Sequence, residues 1–136
     1  MFNYFFGSDS RSLGYLKFLH ENTKNLTVVT TEPIKTGRGK KVKANIIEAF
    51  CFENNIEFKY FNQNDKYEDM SNSLCVSFKN IFSQEFLRMN NNIFNVHLSL
   101  LPKFKGPSPV ETQILNEEVN IGYSIFKIDE KVDSGP

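Results

Sequence analysis

Apolar and polar positions along this chain follow two periods, and the changes between them mark its elements. Residues 2–6 form a short apolar run that stops at Gly7-Ser8-Asp9-Ser10, a set of turn and helix-start residues. Leu13, Tyr15, Leu16, Phe18 and Leu19 then recur at helical spacing. Residues 26–30, rich in β-branched side chains, predict a strand. Residues 31–43 read as a Gly- and Lys-rich loop, and Ile46, Ile47, Phe50 and Cys51 mark one face of a second helix. Strands are predicted over 56–61, 74–78 and 93–97, with a short helix over 82–89. A Pro/Gly-rich loop over 99–107 leads into Ser108-Pro109-Val110-Glu111. That tetrad reads as a capping box with proline at the first helical position, so a helix is predicted over 110–116. Residues 121–128 alternate as a last strand.

Short apolar strands alternating with helices predict an α/β domain: a Rossmann-like, mostly parallel sheet with helices on both faces. Ligands of such sheets sit at the carboxyl ends of the strands, near the switch in strand order. The places to look are Gly7-Ser8 and residues 31–43, 77–82, 97–108 and 129–136.

Composition narrows the classes. The 136 residues carry 16 basic and 16 acidic side chains, which argues against a strongly basic nucleic-acid coat or an acidic disordered tail. No apolar run approaches the length of a membrane span, so no membrane partner is expected. The opening apolar run lacks a basic n-region and reads as no signal peptide, so the default setting is cytoplasmic and reducing. Cys51 and Cys75 stand far apart with no CxxC spacing and are expected to be buried free thiols. No group of His, Cys and carboxylates has metal-ligand spacing, so no metal is expected. His20 suits the end of the first helix, and Asp129-Glu130 reads as a solvated turn.

The chemistry concentrates in Asn95-Val96-His97-Leu98-Ser99-Leu100-Leu101-Pro102. Strand alternation puts Asn95 and His97 on one face, at the strand's end. An amide donor beside an imidazole can hold the oxygen of a tetrahedral intermediate. A strand-end histidine alone reads first as a hydrogen-bonded structural residue. The paired Asn95 and the Leu-Leu-Pro loop shift that reading toward catalysis.

These residues resemble the N-x-H-x-S-L-L-P motif of the folate-dependent formyltransferases, and Asp133-Ser134-Gly135 resembles the family's later D-[ST]-G. The resemblance spans the whole chain and implies the formyltransferase fold, with Asn95, His97 and Asp133 as the catalytic set. It implies direct attack of a primary amine on the formyl carbon of 10-formyltetrahydrofolate, with no metal. Asn95 and His97 would then donate to the developing oxyanion. Asp133 would orient the imidazole, favour its protonated form and help take the proton from the amine. Ser99, Leu100, Leu101 and Pro102 would line the folate site, with Lys103 and Lys105 as further candidates for a folate glutamate tail or a tRNA phosphate.

The acceptor is read from a second segment. Lys35, Arg38, Lys40, Lys41 and Lys43 crowd around Gly37 and Gly39. Such a cluster is either a solvated flexible loop or a tracker of phosphate backbone. The G-R-G-K-K sequence resembles the branch of the family that acts on methionyl-tRNA, in which it meets the acceptor stem. That branch implies initiator methionyl-tRNA as partner, bound through Arg38, Lys40 and Lys41. The Ser77-Phe78 pair resembles the sugar-amine N-formyltransferases instead, which keeps that acceptor open. A third reading is a domain that binds folate or RNA without turnover. In the tRNA branch more sheet, a helix and a C-terminal barrel follow the D-[ST]-G. The chain therefore reads as catalytic domain 1–136, C-terminally truncated and without the barrel, with an edge that would invite self-association.

Overall fold

Runs of buried residues set the strands. Tyr4–Gly7 (β1) is buried at all four positions, as is Ser73–Val76 (β6), the pattern of parallel strands covered on both faces. The computed structural model describes residues 2–36, 41–68, 70 and 72–129. Between β1 and β6 lie Ser10–Asn22 (α1), Thr27–Thr30 (β2), Ile34–Thr36 (β3), Lys41–Lys43 (β4), Ile46–Asn54 (α2) and Phe58–Tyr60 (β5). After β6 come Gln84–Met89 (α3), Ile93–His97 (β7), Pro109–Leu115 (α4) and Ser124–Lys127 (β8). The six-stranded sheet has the order β5-β2-β1-β6-β7-β8, parallel except for β8, which runs antiparallel to β7. The mostly parallel α/β sheet predicted from the sequence is therefore present.

Strand alternation sorts the core onto two faces. Phe5, Val28, Leu74, Val76 and Val96 pack with Leu16 and Leu19 of α1 and with Ile47 and Cys51 of α2. Tyr4, Phe6, Val29, Cys75 and Ile93 pack on the opposite face with Tyr67 and with Phe86 and Leu87 of α3. Full burial of one Leu or Phe side chain is worth about 2 kcal/mol, so both faces contribute. Helices thus cover both sides, as expected. Gly7 allows α1 to lie close on β1, because a Cβ there would stand 2.8 Å from Ser12 Oγ and 2.6 Å from the Phe5 ring. Asn90, only 2% exposed, closes the second face: it accepts from Tyr67 N–H and donates to the carbonyls of Asp65 and Phe86.

Four expectations are corrected. Residues 31–43 contain an antiparallel hairpin, β3 paired with β4 in the register Ile34↔Lys43 and Thr36↔Lys41, where the sequence suggested only loop. Ile34 and Val42, the apolar residues of these short strands, are more than half exposed, so no buried apolar period announced them. β6 stops at Val76 instead of reaching residue 78, because Ser77 turns into the left-handed region with φ 45°. β8 covers Ser124–Lys127 only, three residues shorter at its start than expected. The capping box is also absent. Ser108 makes no side-chain cap hydrogen bond, and Glu111 pairs instead with Arg11 of α1. Proline at the start of α4 is as predicted.

Candidate active site

β1 pairs with β2 on one side and with β6 on the other, so the chain changes direction across the sheet between β1 and β6. A crevice opens where such a switch occurs, outside the carboxyl ends of the strands. Here the two loops leaving those ends are tied together. Ser8 Oγ donates to the Ser77 carbonyl (3.0 Å) and accepts from Lys79 N–H (3.1 Å), while Ser77 Oγ donates to Asp9 Oδ2 (2.8 Å). Asp9 also caps α1, accepting from Arg11 N–H at 3.0 Å.

A cavity of about 610 Å³ lies over this point and over the ends of β7 and β8. Its volume falls in the range of small-molecule sites. Strand register lays Cys75, Asn95 and Phe126 side by side along its floor, with His97 one step further toward the strand end. The sequence expectation that Asn95 and His97 share a face is met: both side chains line the cavity. Apolar walls come from Phe78, Ile81, Phe82, Leu98 and Ile128, and charge at the rim from Arg11, Lys79 and Asp129. Phe78 stacks on Phe82 at 5.6 Å, and Phe82 on Phe86 at 5.1 Å, so this wall is braced from the core outward.

His97 is 6% exposed, and its Nε2 lies 2.8 Å from the Phe104 carbonyl oxygen. A carbonyl only accepts, so Nε2 carries the proton in this bond. Cys75 lies on the floor as a thiol pushed well above its ordinary value by burial, and therefore neutral. Burial, with the Glu48 carboxylate adding to it, pushes the Cys51 thiol up to about 12. Both cysteines are buried and free, as expected.

Ser99, Leu100, Leu101 and Pro102 do not line the cavity; they build the turn beside it. Ser99 is fully buried with its hydroxyl on the Lys103 carbonyl, Leu101 N–H donates to Ser124 Oγ, and Leu100 packs against Gly122. Lys103 is paired with Glu118 at 3.0 Å. Asp133 lies outside the described residues, as do Arg38 and Lys40, while Lys41 begins β4. His20 sits in the last turn of α1, edge-on to the Phe50 ring at 6.2 Å. Asp129 borders the cavity, where the sequence suggested only a solvated turn. Arg11 was not singled out at all. Its position two residues past the β1 turn was the available signal, since that turn abuts the switch point. Among the described residues no cluster of three or more His, Cys, Asp or Glu could hold a metal ion, and no helix is long and apolar enough to cross a membrane.

Comparison with known proteins agrees with this fold. A methionyl-tRNA formyltransferase of Pelagibacter ubique is 32% identical over 97% of this chain. The chain spans just under half of that relative's length, 46%. Phosphoribosylglycinamide formyltransferase from Bacillus halodurans has a similar fold, with TM-score 0.74 and 16% identity over 98% of this chain and 74% of its own. So does an N-formyltransferase from Helicobacter canadensis solved with folinic acid and dTDP-3-aminofucose, with TM-score 0.73 and 22% identity over 99% of this chain and 50% of its own. Residues 8–136 match the sequence model of the family described as formyl transferase, and with this fold beneath the match the chain belongs to that family.

Proposed function

We propose that this chain forms the folate-binding and catalytic part of an enzyme that moves the formyl group of 10-formyltetrahydrofolate to the α-amine of initiator methionyl-tRNA. The observation that carries the reading is the pair Asn95 and His97 on one strand end, facing a largely apolar cavity at the switch point of the sheet. The cavity suits a planar heterocycle with a polar edge: its lining combines the aromatic rings of Phe78 and Phe82 with the Asn95 amide and the Asp129 carboxylate.

The amine attacks the formyl carbon, negative charge grows on the formyl oxygen, and the bond from that carbon to the folate nitrogen then breaks, that nitrogen taking up a proton as tetrahydrofolate leaves. Asn95 Nδ2 and a ring N–H of His97 donate to that oxygen. Each such donor, already aimed, is worth about 3 kcal/mol in the transition state. Nε2 lies against the Phe104 carbonyl at 2.8 Å, which contributes to holding the ring. Asp133 then acts by its charge, which favours the imidazolium, and as acceptor of the proton the amine loses. Asp133 also holds the imidazole in orientation, alongside the Phe104 carbonyl. Ser99, Leu100, Leu101 and Pro102 support the folate site by shaping the turn, and Arg38, Lys40 and Lys41 meet tRNA phosphate.

The acceptor rests on the relatives above 30% identity, which are named methionyl-tRNA formyltransferases. A sugar amine is the second reading, favoured by the Ser77-Phe78 loop at the cavity wall. Single-turnover formylation of charged initiator tRNA and of an amino-sugar nucleotide, with 10-formyltetrahydrofolate as donor, separates the two. Formylmethionyl-tRNA formed faster than formyl sugar supports the proposal, and the reverse order overturns the acceptor. Formylation of neither, in a protein that binds folate, leaves the non-catalytic reading.

A further inference from the structure

The segments around the cavity are tied together by bonds of different kinds. Where the β1 and β6 loops meet, Ser8 and Ser77 join them by three hydrogen bonds that are partly shielded from water. The cavity lining also takes in Gly106, Pro107 and Pro109, the lead into α4 and its first residue. This end of α4 is lightly seated: Ser108 makes no side-chain cap, and Pro109 has no N–H to donate. Beyond Glu111, the Gln113 amide donates to the Leu98 carbonyl at 2.7 Å and so anchors the helix to the end of β7. Toward α1 the tie is the ion pair of Glu111 with Arg11, a residue that itself lines the cavity. Among the described residues no other hydrogen bond or ion pair joins α1 to α4. The Arg11 and Glu111 side chains are 37% and 48% exposed, whereas Cys75 and His97 within the cavity are 5% and 6% exposed. The pair therefore stands at the rim.

We infer that Arg11 and Glu111 are positioning residues: their ion pair holds the first turn of α4 against α1 and so sets the width of the cavity mouth through which the acceptor enters. An exposed ion pair is weak and screened by salt, so it holds the mouth reversibly. With the pair broken, the first turn of α4 moves away from α1 while Gln113 keeps the rest of the helix on β7. The acceptor then meets a wall that its own binding must order, which costs affinity. The chemistry at the strand end is untouched, because neither side chain reaches the reacting atoms. The effect on the acceptor rests on the function proposed above, whereas the width of the mouth does not.

The two cysteines make the test internal to the chain: Cys75 lines the cavity, and Cys51 lies outside it, in the core under α2. In the full 136-residue chain carrying Cys51→Ala, alkylation by iodoacetamide, small and uncharged, reads access to Cys75 through the mouth. In the chain carrying Cys75→Ala, the same reagent reads opening of the core at Cys51. Glu111→Gln should speed the Cys75 reaction about threefold or more and leave the Cys51 rate unchanged. Exchanging the charges, in Arg11→Glu/Glu111→Arg, should bring the Cys75 rate back toward its starting value. With the pair intact, raising salt from about 50 to about 500 mM should speed Cys75 and leave Cys51 alone, while in Glu111→Gln salt should have little effect. A Cys75 rate that responds neither to Glu111→Gln nor to salt overturns the inference. Equal acceleration at Cys51 also overturns it, because the whole fold would then be opening. With 10-formyltetrahydrofolate and charged initiator tRNA, Glu111→Gln should raise the acceptor KM about threefold at unchanged kcat, and the exchange should restore it. An unchanged KM beside a faster Cys75 overturns the effect on the acceptor. Absence of turnover with the pair intact would remove the proposed function and leave the thiol result supporting the mouth.

Discussion

Ser77 Oγ donates to Asp9 Oδ2 across 2.8 Å, joining residues 68 positions apart in the chain. The bond closes the switch point of the sheet, because Asp9 caps α1 and Ser77 opens the loop that becomes the cavity wall. It also holds Ser77 at φ 45°, a conformation that glycine adopts without strain. Two substitutions separate the bond from the backbone. Ser77→Ala removes the bond and keeps the strain, and is expected to lower stability by about 1–2 kcal/mol. Ser77→Gly removes the bond and the strain together, so its loss should be the smaller. Urea unfolding of both checks the order, and a glycine variant less stable than the alanine variant would contradict it.

Asn95 and His97 lie at the strand end, and neither belongs to the two apolar clusters of the core. Asn95→Ala is expected to cost about 10²–10³ in single-turnover rate, the usual effect of removing one oxyanion donor. His97→Ala should cost at least as much, because it removes a donor and the charge on the ring. Folded structure, read by circular dichroism, should persist in both. Turnover near the wild-type rate in either variant would remove that residue from the proposed chemistry.

Legibility in the sequence followed burial. β1 and β6 are buried at every position and bounded by turn residues, so their apolar runs stood out. Leu16 and Leu19 gave α1 its period, and both are buried. In the β3–β4 hairpin the apolar Ile34 and Val42 are exposed and leave no period, and the lysines and glycines of the segment read as loop. The site was legible where chemistry and register coincide: strand alternation alone puts Asn95 and His97 on one face. It was not legible where tertiary pairing decides. Glu111 looked like a capping residue because spacing cannot reveal that Arg11, on another helix, reaches it. Nor does the sequence disclose that the turn folds the Ser99 hydroxyl back onto Lys103.

The two buried thiols make stability fall in alkali. The Cys51 thiol is raised from about 9 to about 12, chiefly by burial, and Cys75 is raised by burial as well. A thiol is neutral when protonated, so the folded chain keeps these protons in the window where the unfolded chain releases them. The unfolded state then binds fewer protons, and unfolding free energy declines as pH rises. Below the ordinary thiol value both states hold the proton and the thiols leave stability independent of pH. Between pH 8 and 9.5, under reducing conditions, stability measured in urea should decline with pH. In the Cys51→Ala/Cys75→Ala double variant the decline should flatten, whatever stability the cavities themselves cost. Equal slopes in the two proteins would show that these thiols ionise alike in both states.

The basic segment decides between a phosphate contact and a solvated surface. Its two strands pair with each other and not with the six-stranded sheet, and Ile34 and Val42 on them are exposed. The segment therefore contributes little to the core, and changes to its charge should leave folding intact. Neutralising phosphate releases condensed counterions, so each cation that contacts the backbone adds close to one unit to the salt slope of binding. Arg38→Ala/Lys40→Ala/Lys41→Ala should accordingly weaken tRNA binding at low salt and reduce that slope by about two to three. Folate affinity should hold steady, since Asn95, His97 and the Phe78–Phe82 wall are untouched. Fluorescence anisotropy of labelled initiator tRNA across 50–300 mM salt, about the range over which such slopes are read, gives the number. An unchanged slope would place the segment among solvated surface loops and move the acceptor reading toward the sugar amines.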